Sequence, residues 1–317
     1  MFDLAPNRLF IQDVAPRDGL QNEPDFIPTE QKIALIDALS RSGLHKIEVT
    51  SFVSPKAIPA LADAEQVLAG IHREPGVLYS ALVPNERGCE RALACQLDEL
   101  NLVMSASEGH SLANLRRLPA DSIQDFSRIV RLADGKVALN VSLSTTFGCP
   151  FDGEVTPDTV HTLIQQLVDI GIPAVTLCDT TGMANPAQVH QLCAGVAQRF
   201  PQLALTAHFH DTRGMGLANV LAALQAGIRH FDASLAGLGG CPYAPGASGN
   251  ICTEDMVHML EEMGHDTGVD LGRLLQAATL LTGLIPRPLP SKLLLAGPAS
   301  RRYPLPKAAE QLRQRIG

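Results

Sequence analysis

The sequence predicts a single α/β domain, a (β/α)8 barrel of the TIM type, with a short C-terminal extension. Three observations lead there. Short apolar runs rich in β-branched residues alternate with longer amphipathic runs. Eight of the short runs can be counted. Together the two kinds fill roughly 250 residues, which suits one closed barrel of βα units better than a doubly wound sheet or two domains.

The strand candidates, in order, are "LFIQDVA" at 9–15, "KIEVTS" at 46–51, "VLYSALV" at 77–83, "ELNLVMS" at 99–105, "VALNVSL" at 137–143, "AVTLCD" at 174–179, "ALTAHFH" at 204–210 and "HFDASL" near 230–235. The helical patterns between them carry start and stop signals. "PTEQKIALIDALSRSG" opens on Pro28-Thr29 and ends at Gly43, and "TPDTVHTLIQQLVDIG" opens on Thr156-Pro157 and ends at Gly171. "NPAQVHQLCAGVAQRF" and "GLANVLAALQAG" repeat the scheme. The barrel is expected over residues 1–285. The Pro-rich extension, 286–317, is expected to cap or fringe it.

The 317 residues are 45% hydrophobic, ample for a packed core, and the formal charge is −8 with no Lys/Arg-rich block. That balance excludes a sequence-general nucleic-acid partner and an anionic membrane surface. The seven cysteines, at 89, 95, 149, 178, 193, 241 and 252, form no C-x-x-C pair, so neither a disulfide framework nor a zinc ribbon is expected. No leader pattern opens the chain and no apolar stretch is long enough to cross a bilayer, so the expected location is the cytoplasm.

In "LTAHFHDTRG" two histidines lie one residue apart at the end of an apolar run. On a strand, His208 and His210 share a face while Phe209 turns away. Barrel chemistry gathers where the strands end. The first run leads into Arg17, Asp18 and Gln21, the second carries Glu48, the sixth ends in Asp179, and the eighth leads into "AGLGGCPYAPGASGN" with Cys241 and Asn250. Asp18, His208, His210 and Asn250 give a mixed N/O donor set suited to Mg²⁺ or Mn²⁺, with Co²⁺ or Zn²⁺ as alternatives. Each element also has a plain structural reading. The histidines can be hydrogen-bonded packing, Glu48 can pair with Arg17, Asp179 can cap the helix after "TTGMANP", and the glycine-rich loop can bind phosphate or act as a lid. Cys241 is either inert or a thiol of lowered pKa near cationic groups, while Cys89, Cys95, Cys193 and Cys252 fall in helical patterns and read as packing.

"APRDGLQNE", "IEVTSFVSPK", "HFHDTRGMGLANVLAALQAG" and above all "SLAGLGGCPYAPGASGNICTEDMVHML" resemble the 3-hydroxy-3-methylglutaryl-CoA lyase family of barrel metallolyases, over approximately residues 8–285. The resemblance implies a divalent metal held by Asp18, His208, His210 and Asn250. It implies Arg17 on the substrate carbonyl, Cys241 as catalytic thiol, Glu48 and Asp179 as active-site acids, Gln21 as a substrate contact, and proton transfer by His208. The implied reaction is retro-Claisen cleavage of a 3-hydroxyacyl-CoA thioester, with hydroxymethylglutaryl-CoA giving acetyl-CoA and acetoacetate. A homodimer serving leucine degradation and ketone-body chemistry is implied as well. The alternatives are a lyase for another branched 3-hydroxyacyl-CoA, such as citramalyl-CoA or an isoprenoid glutaryl-CoA, or an acetyl-CoA-dependent synthase. The chain departs from the family pattern at Arg213, where an aromatic residue is usual, at "TTGMANP", around "SASEGHSLANL" and in the tail.

Overall fold

The computed structural model describes residues 8–240 and 249–316. Eight parallel strands close into a barrel in chain order: β1 Phe10–Asp13, β2 Lys46–Ser51, β3 Leu78–Val83, β4 Glu99–Ser105, β5 Ala138–Ser144, β6 Ala174–Asp179, β7 Ala204–Phe209 and β8 His230–Ala233. The eighth pairs with the first along Phe10–Asp13, which closes the ring.

The helices start and stop where the chemistry of their ends requires. Thr156 Oγ1 accepts from the Thr159 amide ahead of Pro157–Asp169, and Gly171, at φ +93°, turns the chain out of that helix. Thr29–Ser40 ends before Gly43, whose φ of +85° favours glycine.

Side chains alternate across each strand, and the two faces differ in kind. Ile47, Val49, Ala81, Leu100, Leu102, Val141, Val175, Leu177, Ala207 and Phe231 are buried and apolar, and they form the main core with the helices outside. The opposite face carries Lys46, Glu48, Asn101, Asn140, Ser142, Thr176, His208 and Asp232, also buried. Lys46 Nζ reaches Glu99 Oε1 at 2.7 Å and Asn101 Nδ2 reaches Glu48 Oε1 at 2.7 Å, joining β2 to β4 although β3 lies between them. Such contacts can only run across the barrel interior. The interior is therefore a polar lattice, and the apolar core lies between barrel and helices.

The extension departs from the barrel in two steps. Ser291 caps the short helix Lys292–Ala296, whose Lys292 and Leu293 amides donate to Asp255 at 2.9 Å each. The last helix, Lys307–Ile316, buries none of its residues. The stretch after the barrel is thus tied to it at Ser291 and Leu293, and none of the last helix is buried.

Candidate functional site

The first βα turn builds one side of the site. Val14 carbonyl accepts the amides of Arg17, Asp18 and Gly19, coiling Ala15–Gly19 into a tight turn directly after β1. That turn places Arg17 and Asp18 at the mouth. The Arg17 guanidinium is buried between two carboxylates: Nε donates to Glu48 Oε2, and Nη1 donates to Asp18 Oδ1 at 2.6 Å. Nη2 makes no hydrogen bond among the described residues.

The other side comes from β7 and the strand-like stretch beside it. The Asp211 amide donates to Gly249 carbonyl and the Ile251 amide to Phe209 carbonyl, so His210 and Asn250 face each other in an antiparallel bridge. This pairing brings Asn250, 40 positions along the chain, to the histidines. Asn250 Nδ2 donates to Asp18 Oδ2 at 2.8 Å and to Leu238 carbonyl at 3.1 Å. Glycine is required where these segments meet. A Cβ on Gly239 (φ +123°) would lie 2.7 Å from Asn250 Nδ2, and one on Gly249 would collide with the Gly239 carbonyl.

Asp18, His208 and His210 each offer a ligand atom, and these atoms lie within 4.8 Å of one another. The electrostatics suit a cation. Burial alone would raise the Asp18 carboxyl, but Arg17 beside it and then the two histidines take it below the usual carboxylate range. Burial lowers both imidazoles, His208 to about 3, so each is neutral and able to ligate at neutral pH. His210 Nδ1 and Asn250 Oδ1 are buried and accept or donate no hydrogen bond among the described residues. Since buried polar atoms are ordinarily partnered, an orphaned imidazole nitrogen and amide oxygen beside Asp18 fit a divalent ion. No thiolate stands among these donors, which favours a hard cation over structural zinc.

The remaining sequence candidates divide. Gln21 Nε2 donates to Asp18 Oδ1 at 3.0 Å, so it is part of the cluster. Glu48 is there too, paired with Arg17 as the structural reading of the sequence had it. Asp179 stands apart from the Asp18/His208/His210 group, on β6, where its Oδ1 accepts from the Met183 and Ala184 amides at 2.7 and 3.2 Å. It clasps the turn and does not cap the next helix, a role that Asn185 fills by accepting from the Gln188 amide. Its Oδ2 is buried without a partner among the described residues, and burial raises the carboxyl to about 6. Cys241 lies outside the described residues. Cys89 and Cys193 are buried in helices and their thiols are pushed up, to about 11 and 12, by burial, in keeping with packing roles.

Sequence reasoning missed Asp232, Asn101, Asn140 and Ser142. Asp232 on β8 lies 3.9 Å from His208 Nδ1, and burial raises its carboxyl to about 7. A signal was present: "ELNLVMS", "VALNVSL" and "HFDASL" interrupt apolar runs with polar residues, and Glu99/Asn101 and Asn140/Ser142 lie two apart, hence on one face.

The HMGL-like family model matches residues 8–281. The chain is 49% identical over 288 residues to the hydroxymethylglutaryl-CoA lyase YngG of Bacillus subtilis, covering 90% of this chain and 96% of the relative. It is 44% identical to the (R)-citramalyl-CoA lyase of Chloroflexus aurantiacus, over 91% and 94% of the two chains. Among solved structures it is similar to an HMG-CoA lyase from Acinetobacter baumannii in complex with coenzyme A and 3-methylmalate, with TM-score 0.91, 50% identity and coverage of 94% and 98%.

Proposed function

The chain belongs to the HMGL-like family, and from that premise we propose that it is a divalent-metal-dependent carbon–carbon lyase that cleaves 3-hydroxy-3-methylglutaryl-CoA to acetyl-CoA and acetoacetate. The observation that carries the chemistry is the convergence of Asp18, His208 and His210, with Arg17 one hydrogen bond from Asp18. Asp18, His208, His210 and Asn250 would hold the ion, with Mg²⁺ or Mn²⁺ the cation best suited to their N/O set. Held there, a divalent cation would supply Lewis acidity that favours loss of the substrate's 3-hydroxyl proton.

The protein's own groups supply the rest. The resemblance gives His208 a part in transferring the 3-hydroxyl proton, and the Asp232 carboxyl lies 3.9 Å from its Nδ1. By the resemblance Asp179 is a further active-site acid; its Oδ2 has no partner among the described residues and burial raises its carboxyl to about 6. The bond between C2 and C3 then breaks, leaving a ketone at C3 and an enolate on the thioester. Arg17 presents a permanently charged Nη2 to the oxygen where charge develops, while Glu48 fixes the plane of the guanidinium. Cys241 is the proposed donor of the proton that C2 takes up, by the resemblance of its glycine-rich loop to the family's. Gln21 orients Asp18 through the Nε2 hydrogen bond and is the proposed substrate contact beside it.

The resemblance extends the reading to a cytoplasmic homodimer in leucine degradation and ketone-body chemistry, with residues 1–285 as its catalytic unit. Among the described residues no helix is long and apolar enough to cross a membrane. A second reading, (R)-citramalyl-CoA as substrate, draws on the Chloroflexus relative. The test is a panel of 3-hydroxyacyl-CoA thioesters incubated with Mg²⁺ or Mn²⁺ and the products identified by mass. Acetyl-CoA with acetoacetate as the fastest output supports the first reading, and a higher kcat/KM for citramalyl-CoA replaces it with the second.

A further inference from the structure

Glu48 has two oxygens and two separate obligations. Oε2 takes Arg17 Nε, and Oε1 takes Asn101 Nδ2 at 2.7 Å. A carboxylate held at one oxygen turns about its terminal bond, which is a broad, soft torsion, and one held at both does not. The Asn101 contact therefore decides the plane of the Glu48 carboxylate, and the paired guanidinium follows it.

Asn101 is in turn held in one amide orientation. Its Oδ1 accepts from Asn140 Nδ2 at 2.9 Å and from Ser142 Oγ at 3.0 Å, and Asn140 Nδ2 also donates to Thr176 Oγ1 at 3.0 Å. Flipping the Asn101 amide would set oxygen against the Glu48 carboxylate and turn nitrogen toward the Asn140 amide donor. Only one assignment satisfies all partners. All of these side chains are buried, and they stand on β4, β5 and β6.

We propose that Asn101 is a positioning residue for the lyase reaction, aiming Arg17 at the substrate oxygen through Glu48. The lattice of Asn140, Ser142 and Thr176 keeps Asn101 in the donating orientation. The inference rests on the reading of Arg17 as the group that meets the developing charge. Misplacing such a group by a fraction of an ångström lowers turnover without removing any ligand of the metal or any binding surface.

Asn101→Asp is the discriminating substitution. It keeps the size of the side chain and the oxygen that accepts from Asn140 and Ser142, and it replaces the donor to Glu48 by an acceptor. In the full-length protein with Mn²⁺, kcat for the acyl-CoA substrate should fall about tenfold or more, as for loss of a hydrogen bond to a charged group. KM and bound manganese should stay within about twofold. Asn101→Ser, which shortens the side chain and adds no charge, should show the same split and serves if the aspartate variant does not fold. In an Arg17→Lys background, either Asn101 substitution should cost less than about twofold more, because the residue acts only through Arg17. Undiminished kcat in both Asn101 variants beside an impaired Arg17→Lys overturns this inference alone. The same holds if the losses multiply in the double variant, or if KM rises and manganese is lost. Wild-type turnover by Arg17→Lys overturns the Arg17 reading, and this inference with it.

Discussion

The two halves of the barrel interior treat their polar groups in opposite ways. From β2 through β6, Glu48, Asn101, Asn140, Ser142 and Thr176 are joined donor to acceptor in one connected lattice. From β7 through β8 and on to Asn250, buried atoms are left over: His210 Nδ1, Asp232 Oδ1 and Asn250 Oδ1 have no hydrogen-bond partner among the described residues. Burying a polar atom without a partner costs about 1–3 kcal/mol, so the second half holds a charge-accepting site at the expense of stability, and the lattice of the first half is scaffold, with Asp179 Oδ2 at the end of β6 as the exception. Arg17 spans the border, with Glu48 of the scaffold on Nε and Asp18 of the site on Nη1.

The comparison breaks most sharply at Asp18. Asp18→Ala removes the one carboxylate among the proposed ligands, frees Arg17 Nη1 and leaves Asn250 Nδ2 with only the Leu238 carbonyl. The expected loss is several kcal/mol of transition-state stabilisation, about a thousandfold in kcat/KM, together with loss of bound manganese measured after gel filtration. A variant that keeps both would place the ion elsewhere.

On the scaffold side the effect should appear as stability. Asn140→Leu leaves Asn101 Oδ1 with only the Ser142 donor and takes the Nδ2 donor from Thr176 Oγ1. Unfolding free energy should drop by about 1–2 kcal/mol in a denaturant titration, with manganese content unchanged. If manganese is lost instead, the two halves are not separate in the way their hydrogen bonds suggest.

The same division explains what could be read from the sequence. Strand positions were legible because apolar runs of β-branched residues between glycine and proline signals have few other fates: β2, β4 and β6 begin and end where the pattern placed them. The unsatisfied half was legible because charged groups at strand ends stand out, and His208, His210, Asp18 and Arg17 meet as strand alternation and barrel topology require. The scaffold half was not. Asparagine and serine inside an apolar run look like tolerated substitutions until partners such as Asn101 and Glu48, from strands that are not neighbours, are seen to touch. Asp179 shows the limit from the other side, since its strand-end position was plain while its backbone donors, the Met183 and Ala184 amides, depend on a turn no periodicity encodes.

The smallest expected effect tests whether the site half is held at a cost. His210 is buried, and burial depresses its imidazole below the ordinary 6.5; Asp18 opposes that shift and Arg17 adds to it. In the metal-free protein the folded state therefore binds fewer protons than the unfolded chain once the pH drops through 6.5. By linkage, stability must fall as pH falls in that region, and the contribution of His210 is present above 6.5. His210→Leu replaces the imidazole by an apolar side chain of similar reach and abolishes both the orphaned Nδ1 and the titration. Metal-free His210→Leu should thus unfold about 1 kcal/mol less readily than wild type at pH 7.5, with the gap widening at pH 5.5. Added manganese should stabilise the wild type and not the variant, because binding to the folded state alone raises its stability. A variant less stable than wild type when both are metal-free, or a gap that narrows toward acid pH, would mean that His210 is satisfied in the folded protein and that the two halves of the interior are stabilised alike.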